Sequence, residues 1–360
     1  MLARVVIKGV LKGQHGIIFT MNESKINPTK KCTLCSENAS RIYEGMSGYV
    51  EGTKYDVYEC SNCSTQFVDP MSNLKEEYDI IYGDQTIDGT GYYHYLAKGV
   101  KSLRNPLKDL FNYSAIFWGV IKAVEDNSIK RGAKILEVGS GLGYLTYAFN
   151  KSGYDCQGLD YSDTATNFAN NFFGKNFTQG TIDDFSMNNK DKYDVVIATE
   201  VIEHVVNPGA FIENCLKVLK SGGILILTTP IKDIHPKGVI WETEPAPVHL
   251  WWFTEKGIES VAKHFNAKAS FVDFTDYTKN KVWHVHVGVV NMPPHSGPVV
   301  NKNRLFIHPK KKGYRDMLMD IIPAWLYIKL VCLYHDMKFL QRNKKPSRYM
   351  YGMCAVIEKP

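Results

Sequence analysis

Three groups of residues in this 360-residue chain could do chemistry. The first is a pair of thiol knuckles, Cys32-x-x-Cys35 and Cys60-x-x-Cys63, separated by 24 residues. Two such pairs are the expected way to build a tetrahedral four-thiolate zinc site. With all four positions filled by protein, such a zinc would be structural, and metal binding would supply folding energy to a segment short of apolar mass. Paired free thiols or redox cysteines are the alternative. The second group is Lys134-Ile-Leu-Glu-Val-Gly-Ser-Gly-Leu-Gly-Tyr144. Here an apolar run ends in Glu137 and then in Gly139, Gly141 and Gly143. Glycines after a buried strand let a ligand lie on the turn and against the amides that open the next helix. The dinucleotide fingerprint G-x-G-x-x-G would need a glycine at Tyr144, so the spacing favours a nucleoside without a pyrophosphate. The third group is two histidines. His204 closes Thr199-Glu-Val-Ile-Glu-His, and His249 lies in Glu244-Pro-Ala-Pro-Val-His-Leu-Trp-Trp-Phe253. Imidazole is suited to general base work. Glu242 and Glu244 are alternative bases or orienters. Helix capping or packing against the cofactor edge is the plainer role for His204, and anchoring a loop is the plainer role for His249.

The elements that must position these groups follow from the apolar pattern. Residues 1–30 read as a disordered tail, 31–70 as a zinc-binding module, and 71–128 as a helical lid or connector carrying Tyr78, Tyr82, Tyr92, Tyr93 and Tyr95. From 134 onward short apolar runs alternate with helical segments: strands at 134–138, 154–159, 176–179, 193–198, 223–229 and 269–275, and helices at 143–152, 163–173, 208–220 and 254–265. That alternation predicts an α/β fold with a doubly wound, mostly parallel sheet. The core domain is expected over 129–277 plus 349–360, with a final strand from Tyr349 to Glu358. Residues 278–348 are then a partly helical insertion, and insertions of that length serve function or assembly. Asp160, at the end of the second strand, is placed to accept ribose hydroxyls. Capping the next helix is the alternative for it, and Ser162 or Asp163 could serve as that cap. Thr181, Ile182 and Asp183 follow the third strand, where an adenine edge would lie.

At this point the chain resembles a family. The stretch 135–143, Asp160, Tyr193-Asp-Val-Val-Ile-Ala-Thr-Glu-Val-Ile-Glu-His204 and Leu219-Lys-Ser-Gly-Gly-Ile-Leu-Ile-Leu227 are similar, in order and spacing, to the motifs of class I S-adenosylmethionine (SAM)-dependent methyltransferases. The resemblance implies a seven-stranded Rossmann-like sheet with an antiparallel last strand. It assigns Glu137 and Gly139 to Gly143 to the methionine part, Asp160 to ribose, and 181–183 to adenine. Ser140, Tyr144, Tyr161, Thr199 and Glu200 complete the expected cofactor-contacting set. The cysteine pairs with Phe67-Val-Asp-Pro70, Tyr78 and Tyr82 resemble the zinc module carried by a subset of these enzymes, several of which modify sugars on oxygen or carbon. That implies a methyltransferase acting on a small anionic sugar or nucleotide-sugar hydroxyl in carbohydrate biosynthesis, with His204, His249 or Glu244 in catalysis. The extra carboxy-terminal domain of the carbon-methylating group is not evident, which counts against a sugar C-methyltransferase.

Composition narrows the remainder. The apolar fraction is 44% and the net charge +6, but Lys302 to Arg348 holds 12 basic and 3 acidic residues. That stretch could hold a phosphate handle, RNA or an anionic membrane surface. An RNA methyltransferase is the first alternative, although the Asn/Asp-Pro-Pro-aromatic stretch of amino-methylating nucleic-acid enzymes is absent after strand four. A non-catalytic scaffold on a membrane surface is the second. His284, His286 and His295 are not spaced as a metal site. Eight cysteines without a secreted framework suggest a reducing, cytoplasmic setting. Residues 1–20 could resemble a transit peptide; a leader, with Met21 as an alternative start, is the preferred reading. No apolar run approaches the roughly 20 residues of a spanning helix.

Overall fold

The computed structural model describes residues 28–72, 90–240, 246–281, 298–303, 307, 321–337 and 346–360. The expected leader, Tyr78, Tyr82, Glu242, Glu244, the three histidines at 284–295 and most of the basic insertion lie outside them.

The amino-terminal unit is antiparallel. Strands β1 (Thr29–Lys31), β2 (Asn38–Ser47), β3 (Lys54–Cys60) and β4 (Gln66–Asp69) pair in chain order. Three helices follow: α1 (Thr90–Ser102), α2 (Pro106–Tyr113) and α3 (Ala115–Asp126). The alternating region then runs β5 (Lys134–Val138), α4 (Tyr144–Lys151), β6 (Asp155–Asp160), α5 (Asp163–Phe173), β7 (Phe177–Gln179), α6 (Ile182–Asn188), β8 (Tyr193–Thr199), α7 (Pro208–Val218) and β9 (Leu219–Pro230), with a 3-10 turn over Ile202–His204. Last come β10 (Trp251–Trp252), α8 (Glu255–His264), β11 (Lys268–Phe271), α9 (Thr275–Asn280), α10 (Ala324–Asp336) and β12 (Gly352–Glu358).

The main sheet has the order β11-β12-β9-β8-β5-β6-β7. β12 runs antiparallel to both neighbours and the other pairings are parallel. The central strands are buried on both faces, which is why they read as continuous apolar runs and not as alternating ones. Two expectations need correction. Strand β9 begins at Leu219, directly after α7, and not at 223, because Tyr193 pairs with Leu219 before a register shift. The strand expected over 269–275 stops at Phe271, and Thr275 opens α9.

A further correction concerns the loop after β9. Its end forms β10, which joins the cysteine-bearing sheet: Trp251 pairs with Phe67 and Trp252 with Gln66. Trp251, Trp252 and Phe253 are almost fully buried in a core shared by the two sheets. Thr254 completes the joint. Its hydroxyl donates to the Cys63 carbonyl (2.6 Å) and accepts from the Gly257 amide (3.0 Å) as the cap of α8. Lys256 Nζ reaches the Asn62 carbonyl at 2.9 Å. Thr254→Val keeps the shape but removes the cap and the bond to Cys63. It is expected to cost about 1–3 kcal/mol, read as a lowered urea midpoint.

Candidate active site

The glycine turn sits between β5 and α4 as the spacing predicts. Gly139, Gly141 and Gly143 have φ of 73°, 49° and 82°, in the left-handed region. A Cβ on Gly143 would lie 2.5 Å from the Phe177 ring, and one on Gly139 2.4 Å from Val201. The amides of Gly139 and Ser140 donate to the Leu159 carbonyl at 2.8 and 3.2 Å, tying the turn to β6. At the end of β6, Asp160 is buried and spans the turn. Its Oδ2 accepts from the Gly141 amide and its Oδ1 from the Ser162 amide, each at 2.8 Å. Both carboxylate oxygens of Asp160 are thus held by backbone amides on either side of the turn. The helix cap is Ser162, whose hydroxyl accepts from the Ala165 amide.

Glu137 is buried beneath the turn, and the Thr146 hydroxyl donates to its Oε2. Burial pushes its carboxyl up to about 8, against the Thr146 bonds. Thr181 caps α6, Ile182 is buried in the core, and Asp183 accepts from Asn214 Nδ2 at 2.6 Å. The Tyr161 carbonyl accepts from Gln179. Tyr144 packs edge-on against Phe117. Ala97 of α1 packs with Leu142 of the turn and Ala165 of α5, so α1 covers this end of the sheet. Of the connector tyrosines, Tyr92 bonds Tyr113, and Tyr95 donates to the Ile322 carbonyl at 2.5 Å.

The second half of the site is at the carboxyl ends of β8 and β9. Thr199 ends β8. Glu200 turns the chain with φ of 53°, unusual for a side chain with a Cβ, and its amide donates to the Thr228 carbonyl at 3.0 Å. Val201 backs Gly139, so this corner touches the glycine turn. The 3-10 turn then presents Glu203, fully buried, and His204. The His204 and His249 ring centres are 4.9 Å apart. His204 Nδ1 is 2.5 Å from the Val248 carbonyl, and its Nε2 is 3.8 Å from Glu203 Oε1. Burial pushes the His204 imidazole down to about 4 and His249 well below its ordinary range, so both are neutral at pH 7. Burial also pushes Glu200 up to about 7. The two histidines expected as candidate bases are neighbours, although 45 positions apart in the chain.

Glu203 is the residue the sequence reading passed over. It was legible as the acid three places after Glu200 and next to His204. Buried His94 on α1, edge-on to Phe168 over the turn, carried no comparable signal.

Residues 115–269 match the family described as "Methyltransferase domain". The fold is the Rossmann-like methyltransferase fold. Among curated relatives, the ubiquinone biosynthesis O-methyltransferase of Bradyrhizobium sp. (strain ORS 278) is 33% identical over 105 residues, covering 27% of this chain and 40% of the relative. That of Rhodopseudomonas palustris (strain BisB18) is 31% identical over 130 residues, covering 35% and 50%. The chain thus spans about half or less of the length of the curated relatives it matches. Among solved structures, the YcgJ protein of Bacillus subtilis aligns with a TM-score of 0.42 at 13% identity, covering 67% of this chain and 97% of that one. The magnesium protoporphyrin IX methyltransferase of Synechocystis PCC 6803, solved with bound SAM, aligns with a TM-score of 0.35 at 16% identity, covering 54% and 81%.

The Glu137 environment predicts a pH signature. A carboxyl whose folded pKa is raised costs stability as pH climbs from the unfolded value, near 4.3, through about 8. Glu137→Gln removes that cost. In thermal unfolding without ligand, the melting temperature of the variant relative to the parent is expected to be higher at pH 8.5 than at pH 5.

Proposed function

We propose that this chain is a SAM-dependent methyltransferase that acts on a hydroxyl of a small molecule. The observation that carries the reading is the joined geometry of the two half-sites. A glycine turn bridged by Asp160 lies against the corner that carries Glu200, Glu203 and His204. In this reading Glu137, Gly139, Ser140, Gly141, Gly143 and Tyr144 face the methionine part of SAM. Asp160 and Tyr161 hold the ribose, Thr181, Ile182 and Asp183 flank the adenine, and Thr199 and Glu200 close the cofactor edge. The names of the matched relatives support oxygen as the acceptor atom. The basic stretch 302–348 and the cysteine module support an anionic sugar or nucleotide-sugar as its carrier.

Methyl transfer breaks the sulfonium S–CH3 bond and forms O–CH3, leaving a neutral thioether, and the hydroxyl must give up its proton. The neutral imidazoles of His204 and His249 are the groups at hand to take it, and alignment of oxygen, methyl and sulfur supplies the remainder. Equilibrium dialysis with SAM tests the cofactor half: binding is expected, and Asp160→Asn should weaken it. His204→Ala and His249→Ala should keep SAM and lose turnover by about 10²–10⁴-fold. Full activity in either removes that residue from the reaction. A panel of nucleotide sugars and phenolic diols, read by methyl incorporation, separates a sugar acceptor from an aromatic one.

The four cysteines are proposed to hold zinc. Cys32 and Cys63 Sγ are 3.8 Å apart, Cys35 and Cys60 Sγ 3.4 Å, and all four lie within 4.8 Å. Zn–S bonds of about 2.3 Å in a tetrahedron put sulfurs about 3.8 Å apart, so the cage is close to size before an ion enters. Elemental analysis is expected to find about one zinc per chain held by these thiols, and Cys60→Ser should lose it.

A further inference from the structure

Helices α1 and α10 both lie outside the matched residues 115–269, one before them and one after. Side chains three and four positions apart share a helix face, and the two faces of α1 have different partners. On one face Ala97 is fully buried with Leu142 of the glycine turn and Ala165 of α5, and buried His94 sits edge-on to Phe168. The Tyr147 hydroxyl of α4 donates to the Lys101 carbonyl at 3.3 Å. The other face meets α10. A Cβ on Gly99 would lie 2.7 Å from Ile328 Cδ1 and 2.9 Å from the Ala324 carbonyl oxygen, and Ile328 is fully buried. Tyr95 is edge-on to Tyr327, with ring centres 5.7 Å apart, and donates to the Ile322 carbonyl just before α10. Further along, α10 is fastened to α2. Lys329 Nζ donates to Asp109 Oδ1 at 2.6 Å, and the Cys332 thiol to the Asp109 carbonyl at 3.3 Å.

α1 has little reason to be helical by itself. A helix of 13 residues is marginal in water, and Gly99 in its interior weakens it further. Its order therefore comes from what it packs on, the turn and α5 on one face and α10 on the other. Gly99 is the position where α10 crosses too closely for a side chain.

We propose that α10 braces α1 against the glycine turn, and that Gly99 and Ile328 are positioning residues for SAM. They act through α1, which backs Leu142, the residue between Gly141 and Gly143. When the crossing is disturbed, only the fraction of molecules with α1 seated keeps the turn covered, and the apparent SAM affinity falls by that fraction. The inference rests on the SAM reading. It gives the described helix of the insertion a task at the cofactor end of the sheet.

The test uses the full chain and needs no methyl acceptor. Ile328→Ala empties the crossing, Gly99→Val overfills it, and Ile328→Leu keeps its volume. SAM affinity is read by equilibrium dialysis, and backbone order by hydrogen exchange with mass spectrometry. In Ile328→Ala and Gly99→Val the amides of α1 should exchange faster while those of β8 stay protected, and SAM should bind about tenfold more weakly. Ile328→Leu should bind SAM as the parent does. Protected β8 amides separate a displaced α1 from a general loss of stability. Parental SAM affinity in both disrupting variants, or unchanged exchange over α1 in both, overturns the brace. Exchange that rises in β8 as much as in α1 overturns it too, because the crossing then serves stability alone. A parent chain that binds no SAM sinks the methyltransferase reading, and the brace with it. A parent that binds SAM no better than Ile328→Ala and Gly99→Val sinks the brace alone.

Discussion

The peptide unit of Leu250 is the point on which the two halves of this molecule depend. Its amide donates to the Glu203 carbonyl at 2.8 Å, and its carbonyl accepts from the Val68 amide at 3.1 Å. One residue thereby ties the 3-10 turn of the main sheet to the edge of the cysteine-bearing sheet. The neighbours reinforce the tie. Val248 contacts the His204 ring, and Trp251 Nε1 donates to the Val205 carbonyl at 2.9 Å. His249 lies between these anchors, so its position relative to His204 follows from main-chain bonds and not from side-chain packing alone. The cysteine module is thus a clamp on the loop that carries His249.

The two half-sites are built by different physics. The glycine turn is nearly all backbone. Positive φ at three glycines aims amides at Asp160 and Leu159, and Phe177 and Val201 fill the space that side chains would need. The corner from Glu200 to His204, with His249, is nearly all buried polar side chain, and Glu200 is held in a conformation that side chains rarely adopt. Strain and buried charge concentrate where a site has work to do, since folding alone gives no reason to keep them.

The strand and helix pattern of the main sheet was legible because buried parallel strands and amphipathic helices write distinct periods. The turn, Asp160 and the thiol pairs were legible because their chemistry depends on local spacing. The pairing of β10 with β4 was not. A two-residue strand carries no period, and nothing in Trp251-Trp252 names Phe67 and Gln66 as partners. Glu203 is not marked in the sequence, because what sets it apart from other surface-type acids is burial, which one sequence does not display. Thr181 and Asp183 show the converse. Their types suit a ligand edge, yet both also have local structural work, one as a cap and the other as a partner of Asn214.

The joint at Thr254 and Leu250 also has a thermodynamic reading. Binding energies at two sites that share one folded element are linked, and linkage is reciprocal. An ion in the thiolate cage would favour the arrangement of residues 248–254 that brings His249 to His204. By the same free energy, any ligand that seats itself at the histidines would tighten the hold on that ion. A change in metal supply at one end of the clamp would therefore be felt as a change in affinity at the other, with no atom of the cage touching the substrate.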